Sequence, residues 1–153
     1  MSENPPSAAV LNATQGACFC RRVRRTANRL TRYYDRELAP HGLTVGQFGM
    51  LATLCAIDGA SVQTLADGLD MNQSALSRGL APLEREGLIA STPDARDGRK
   101  RQLSLTDAGH ARFAQAAETW QRAQDRIAEA LDALDLRVDD VMDQIKAVGR
   151  AAV

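Results

Sequence analysis

The stretch that most limits what this chain can fold into runs from Ser61 to Thr106, SVQTLADGLDMNQSALSRGLAPLEREGLIASTPDARDGRKRQLSLT. Two short amphipathic segments are separated by a few residues, and two runs of strand character follow. Ser61 and Asn72 each stand just before an apolar-periodic run. A short side-chain oxygen there accepts from a backbone N–H that the first helical turn leaves open. The spacing predicts one helix through Gly68, with Val62, Leu65, Ala66 and Leu69 on one side. It predicts a second from Asn72 to about Glu86, striped by Leu76, Leu80 and Leu83. Gln73, Ser74, Ser77, Arg78, Ala81 and Arg85 fall on the other side of that second helix. Small, polar and basic residues are what contact with base edges in a major groove requires. Two such helices joined by a turn of three or four residues form a helix-turn-helix.

Gly87-Leu88 ends the second helix, glycine being suited to the left-handed position past a C-terminus. Leu88–Thr92 and Arg101–Leu105 read as paired strands, with Asp97-Gly98 as the turn between them. Arg96, Arg99, Lys100 and Arg101 crowd the tip. A tip with this charge reaches phosphates or a narrow minor groove; a charged hairpin standing alone is as often a solvated turn.

The chain resembles the MarR-type winged-helix transcriptional regulators. The likeness is carried by YDRELAPHGLTVGQFGMLATL (34–54), LADGLDMNQSALSRGLAPLEREGLI (65–89) and DGRKRQLSLTDAG (97–109). Its most specific part is Asp97-x-Arg99 followed by Leu105-Thr106-x-x-Gly109. The resemblance implies a mainly α fold with a small β-hairpin wing, in which N- and C-terminal helices dimerise two copies. It implies DNA reading by Gln73, Ser74, Ser77 and Arg78, minor-groove entry by Arg99, and bracing of nearby arginines by Asp97. Pro82 departs from members with a basic or polar residue there, which puts a contact at that position in doubt. The resemblance also implies a small effector, often an aromatic acid, held between the dimer helices and the winged module. Tyr34, His41 and Phe48 fall near that cleft, although core or surface is the commoner fate of such residues. A repressor released by its effector is the expected behaviour.

The flanks fit this outline. Residues 1–13, with Pro5-Pro6 and little pattern, read as a mobile arm, and 14–153 as one domain. Thr14 to about Leu38 reads as a helix with an apolar stripe of Cys20, Val23, Ala27, Leu30, Tyr34 and Leu38. Arg22, Arg25, Arg29, Arg32 and Arg36 make a second stripe, either a solvated face or a contact for phosphates or an anionic ligand. After the break at Ala39–Gly42, Thr44 and Gln47 match a capping box opening a helix through about Ile57. The winged module then occupies 44–105. Thr106-Asp107 caps a helix whose seam of Phe113, Ala117, Trp120, Gln124, Ile127, Leu131 and Leu134 is heptad-like, and a last helix starts near Leu136. Seams this long suit a second copy across a two-fold axis, so 14–38 and 106–153 are read as dimerisation helices.

The formal net charge is zero, which argues against a nonspecific polybasic binder and for a local DNA-facing patch. Acidic residues gather instead at 125–143. No apolar run reaches membrane length and no signal peptide is recognisable, so a cytoplasmic location is expected. The three cysteines lack metal-ligand spacing, and no cofactor is expected. Cys55 reads as core. Cys20 matches the reactive cysteine of hydroperoxide-sensing members, with Tyr34 as a supporting tyrosine and Arg24 where a second tyrosine is usual. A thiol-based redox repressor is therefore the alternative, set against a Cys20 buried on its stripe and inert. Cys18, two residues away, is awkwardly placed for a direct disulfide. No Ser/His/Asp set, metal cluster or phosphate-cradling glycine loop suggests an enzyme. A protein-binding winged helix is disfavoured by the basic tip.

Overall fold

A computed structural model describes residues 7–12, 18–57, 59–94, 101–135 and 137–151. Helix α1 is a single short stretch, Ala8–Asn12. The segment read as an arm thus contains one helical turn, opened by the Ser7 hydroxyl accepting from the Val10 N–H at 3.4 Å. Helix α2 spans Phe19–Leu38, its first cap at Cys18; the expected start at Thr14 lies outside the described residues.

Leu38 leads into a 3-10 turn, Ala39–His41, closed by Gly42 at φ 68°. Helix α3, Val45–Ala56, opens with the Thr44–Gln47 capping box. The Asp35 carboxylate fixes the same junction by accepting from the Val45 N–H at 2.8 Å. Helix α4, Val62–Gly68, is capped by Ser61, and α5, Gln73–Arg85, by Asn72. Leu65, Leu76, Leu80 and Leu83 are all buried, as their spacing predicts. The α5 helix runs through Pro82 without interruption.

Strands β2 (Ile89–Pro93) and β3 (Arg101–Leu105) form the antiparallel hairpin, in register Ile89↔Leu105 through Pro93↔Arg101. A third strand, β1 (Ala60–Ser61), pairs with β3 on its other edge. Two residues give no periodicity to detect, so this strand is invisible without its partner. Helix α6, Asp107–Asp132, and helix α7, Val138–Ala151, complete the chain.

One core joins Leu38, Phe48, Met50, Leu51 and Leu54 to the leucines of α4 and α5 and to Leu88, Ile89 and Leu103. The face that α6 buries is Gly109, Ala116 and Ala123, small residues seven apart; Gly109 lies against Leu88 ahead of β2, and the helix beyond it packs on α2 and α3. Phe113, Ala117 and Trp120 of the expected seam flank it, half-buried, while Leu134 is exposed. Cys55 is exposed, against its reading as core. It follows Leu54 by one residue, a rotation of about 100° around the helix, which carries it off the buried face.

Candidate nucleic-acid interface

Burial of Leu76, Leu80 and Leu83 against α3 and α4 decides which side of α5 faces out. Gln73, Ser74, Ser77, Arg78, Ala81 and Arg85 are all exposed on that side. Gly79 allows the close approach beneath them, since a Cβ there would stand 2.3 Å from Met50 Cε. The Asn72 side-chain oxygen accepts from the Ala75 N–H and from the Ser74 hydroxyl, each at 2.8 Å. The Ser77 hydroxyl donates to the Gln73 carbonyl at 2.8 Å, and Arg85 Nε to the Ala81 carbonyl at 3.3 Å. Arg78 has no hydrogen bond or ion pair among the described residues, so its guanidinium is uncommitted.

The hairpin begins as predicted, but Arg96, Asp97, Arg99 and Lys100 lie outside the described residues. Arg101 turns back across the hairpin. Its Nε donates to Ser91 Oγ at 2.7 Å and its Nη2 to the Ser91 carbonyl at 2.6 Å. Gln102 donates to Asp94 at 2.7 Å, so the base of the wing is cross-linked on both strands.

Tyr34, His41 and Phe48 all pack toward α6, on different partners. The Tyr34 hydroxyl donates to Gln124 Oε1. Burial, and then the neighbouring Tyr33, hold that hydroxyl above the ordinary tyrosine range, so it stays a neutral donor at physiological pH. His41 Nε2 lies 2.8 Å from Thr119 Oγ1, and Arg112 donates to the His41 carbonyl at 2.8 Å. Phe48 is buried, its ring 5.6 Å from Trp120 and 5.2 Å from Phe113. Arg126 joins the same junction by donating to the Tyr33 hydroxyl at 3.2 Å and pairing with Glu37.

The arginines of α2 are exposed, and a shallow cleft of about 400 Å3 runs between Arg21, Arg24, Arg25, Asn28, Arg29 and Arg32. Cys18 and Cys20 are exposed at the start of this helix, which corrects the expectation of a buried Cys20. Val23 and Leu30, on the apolar stripe that carries Cys20, are exposed with it.

A family model described as the MarR family matches residues 41–100. A curated relative, the transcriptional activatory protein BadR of Rhodopseudomonas palustris, is 33% identical over 91 residues, 58% of this chain and 52% of its own. The match thus spans about half of that relative's length. The crystal structure of the Mycobacterium tuberculosis transcriptional regulator MosR with DNA superposes at a TM-score of 0.75, with 32% identity over 88% of this chain and 96% of that one. The transcriptional repressor CouR, bound to a 23-mer duplex, gives 0.75 and 26% identity over 97% and 99% of the two chains.

Proposed function

The chain belongs to the MarR family of transcriptional regulators, and we propose that it acts as a homodimer that reads a pseudo-palindromic DNA site. The observation that carries this is the outward face of α5, where every candidate base-reading side chain is exposed above a fully buried leucine stripe. Gln73, Ser74, Ser77 and Arg78 enter a major groove, with Arg78 facing guanine. The tip residues Arg96, Arg99 and Lys100 reach the flanking minor groove, and Asp97 braces them. Arg101 acts mainly by stiffening the wing base. Two recognition helices about one DNA turn apart, ~34 Å, then meet successive major grooves on one side of the duplex.

Two copies are needed because α2 and α7 leave apolar side chains uncovered: Phe19, Val23 and Leu30 on one, Val141, Met142, Ile145 and Val148 on the other. Regulation is repression, as for the transcriptional repressor CouR; BadR is a transcriptional activatory protein, so transcription from a template carrying the selected site decides the sign. A small effector, an aromatic acid for example, acts where Tyr34, His41 and Phe48 meet α6. Any ligand that prefers one separation of the α5 helices shifts the dimer toward it.

The test is selection of duplexes from a random-core pool, followed by binding across a salt series. Inverted half-sites and a negative salt slope are expected. A well-folded protein that selects nothing at low salt overturns the reading.

The exposure of Cys20 supports one second reading, a redox-released repressor. An organic hydroperoxide would oxidise its thiolate to a sulfenic acid and leave as the alcohol. The Cys20→Ser variant should then hold its operator when the hydroperoxide releases wild type. Equal release of both removes this reading.

A further inference from the structure

We propose that Gln63, on α4, is a positioning residue that fixes the sense of the Gln73 amide and so makes α5 prefer adenine to guanine. The inference rests on the DNA-reading function above.

Asp67 sets the order of three side chains. Its carboxylate Oδ1 accepts from Gln63 Nε2 at 2.6 Å, and Gln63 Oε1 accepts from Gln73 Nε2 at 2.5 Å. An ionised carboxylate can only accept, so the NH2 end of Gln63 must face Asp67. Its oxygen therefore faces Gln73, and an oxygen there selects the NH2 end of Gln73. The three side chains have one self-consistent arrangement, set by the one member that cannot donate. Gln63 and Asp67 are four apart on α4 and so share a face, while the Ser61 and Asn72 caps fix where α4 and α5 begin.

This leaves Gln73 with Oε1 and its second N–H for the groove. Adenine presents an N6 donor and an N7 acceptor, the complement of that edge; guanine presents two acceptors, O6 and N7. A glutamine free to turn over can offer its NH2 to either purine. A held one has a single N–H left beside its oxygen, which suits adenine and leaves one guanine acceptor facing an oxygen, and turning over would bring that oxygen against the oxygen of Gln63.

The experiment uses the full chain and the duplex that wild type recovers from the random pool. The base pair read by Gln73 is the one whose preference disappears in Gln73→Ala. At that pair, wild type should bind adenine at least roughly ten-fold better than guanine, within the range of a good bidentate contact. Gln63→Leu should bring the two within about three-fold, with an unchanged salt slope and melting temperature, since Gln63 is exposed. Gln63→Glu combined with Asp67→Asn reverses the donor–acceptor pair between these two residues, keeps an oxygen toward Gln73 and leaves the net charge unchanged, so it should retain most of the preference. In a Gln73→Ala background, Gln63→Leu should have no further effect at that pair.

Full adenine preference in Gln63→Leu overturns the inference. So does a further change at that pair when Gln63→Leu is added to Gln73→Ala, which would mean that Gln63 touches the base itself. A wild type that selects no site removes the DNA-reading function and this inference with it; a wild type that selects one, with Gln63→Leu unaltered, removes this inference alone.

Discussion

Gly109 shows how much one residue settles where the winged module meets the long helix. A Cβ at this position would lie 2.0 Å from the Leu88 carbonyl oxygen, a backbone atom held from two sides. That carbonyl accepts from the Thr106 N–H at 3.1 Å, and the Thr106 hydroxyl donates to the Gly87 carbonyl at 2.7 Å while capping α6 through Gly109 N–H. Alanine inside a helix ordinarily stabilises relative to glycine by up to about 1 kcal/mol. Here the sign should reverse. Gly109→Ala forces α6 away from the start of β2, and overpacking of this kind costs about 1–3 kcal/mol, read as a lower urea midpoint. Gly87 is the control. It sits at φ +70° with nothing within 4 Å of its missing Cβ, so Gly87→Ala meets only left-handed backbone strain and Gly87→Asn should restore most of the loss. The Thr106-x-x-Gly109 pattern was readable in the sequence as a signature. Its reason was not, because the atom that excludes a side chain belongs to a residue 21 positions earlier.

Helix α5 was readable almost completely, because its determinants are local: a capping side chain, a leucine stripe, and a glycine after the end. Asn72 does two jobs that separate in an experiment. Asn72→Ala removes the bond to the Ala75 N–H, a loss of about 0.5–2 kcal/mol of stability for an N-cap. It also frees the Ser74 hydroxyl, so affinity for the selected duplex should fall further than for random duplex. Equal losses on both duplexes would confine Asn72 to stability. What lay beyond local pattern is how α5 meets its neighbours. The close contact of Gly79 with Met50, the relay from Asp67 to Gln73, and the turning back of Arg101 onto Ser91 each join residues whose separation in sequence carries no periodic signal. The exposed cysteines belong with these. Helical phase puts Cys20 on an apolar stripe, but phase does not say whether anything covers the stripe.

That gap matters most for the whole molecule, where exposed apolar surface and charge are both unevenly spread. Seven arginines between residues 21 and 36 face a single carboxylate there, Asp35, while 125–143 holds seven carboxylates against Arg126 and Arg137. Phe19 is 81% exposed on α2, Leu134 67% just past α6 and Val148 70% on α7, surface that a second copy would cover. If the basic and acidic ends meet across the two-fold axis, raising salt should loosen the dimer, since exposed pairs weaken as the Debye length shortens. The sharper prediction is Ile145→Asp. In the single chain Ile145 is 41% exposed, so the charge should leave the helical content and the winged module intact. In the proposed dimer it would remove an apolar contact twice, because an isologous interface repeats every contact. Full burial of an isoleucine is worth about 1.5–3 kcal/mol and 41% of this one is left to cover, so the two lost contacts, with two carboxylates set against apolar surface, should raise the dimer dissociation constant at least about ten-fold. Sedimentation equilibrium measures it, with circular dichroism as the control for folding. Affinity for a full two-half-site duplex should fall with the dimer, while affinity for an isolated half-site should not. A variant that stays dimeric at nanomolar concentration would mean that α7 is not part of the interface, and that another surface holds the two α5 helices at their spacing.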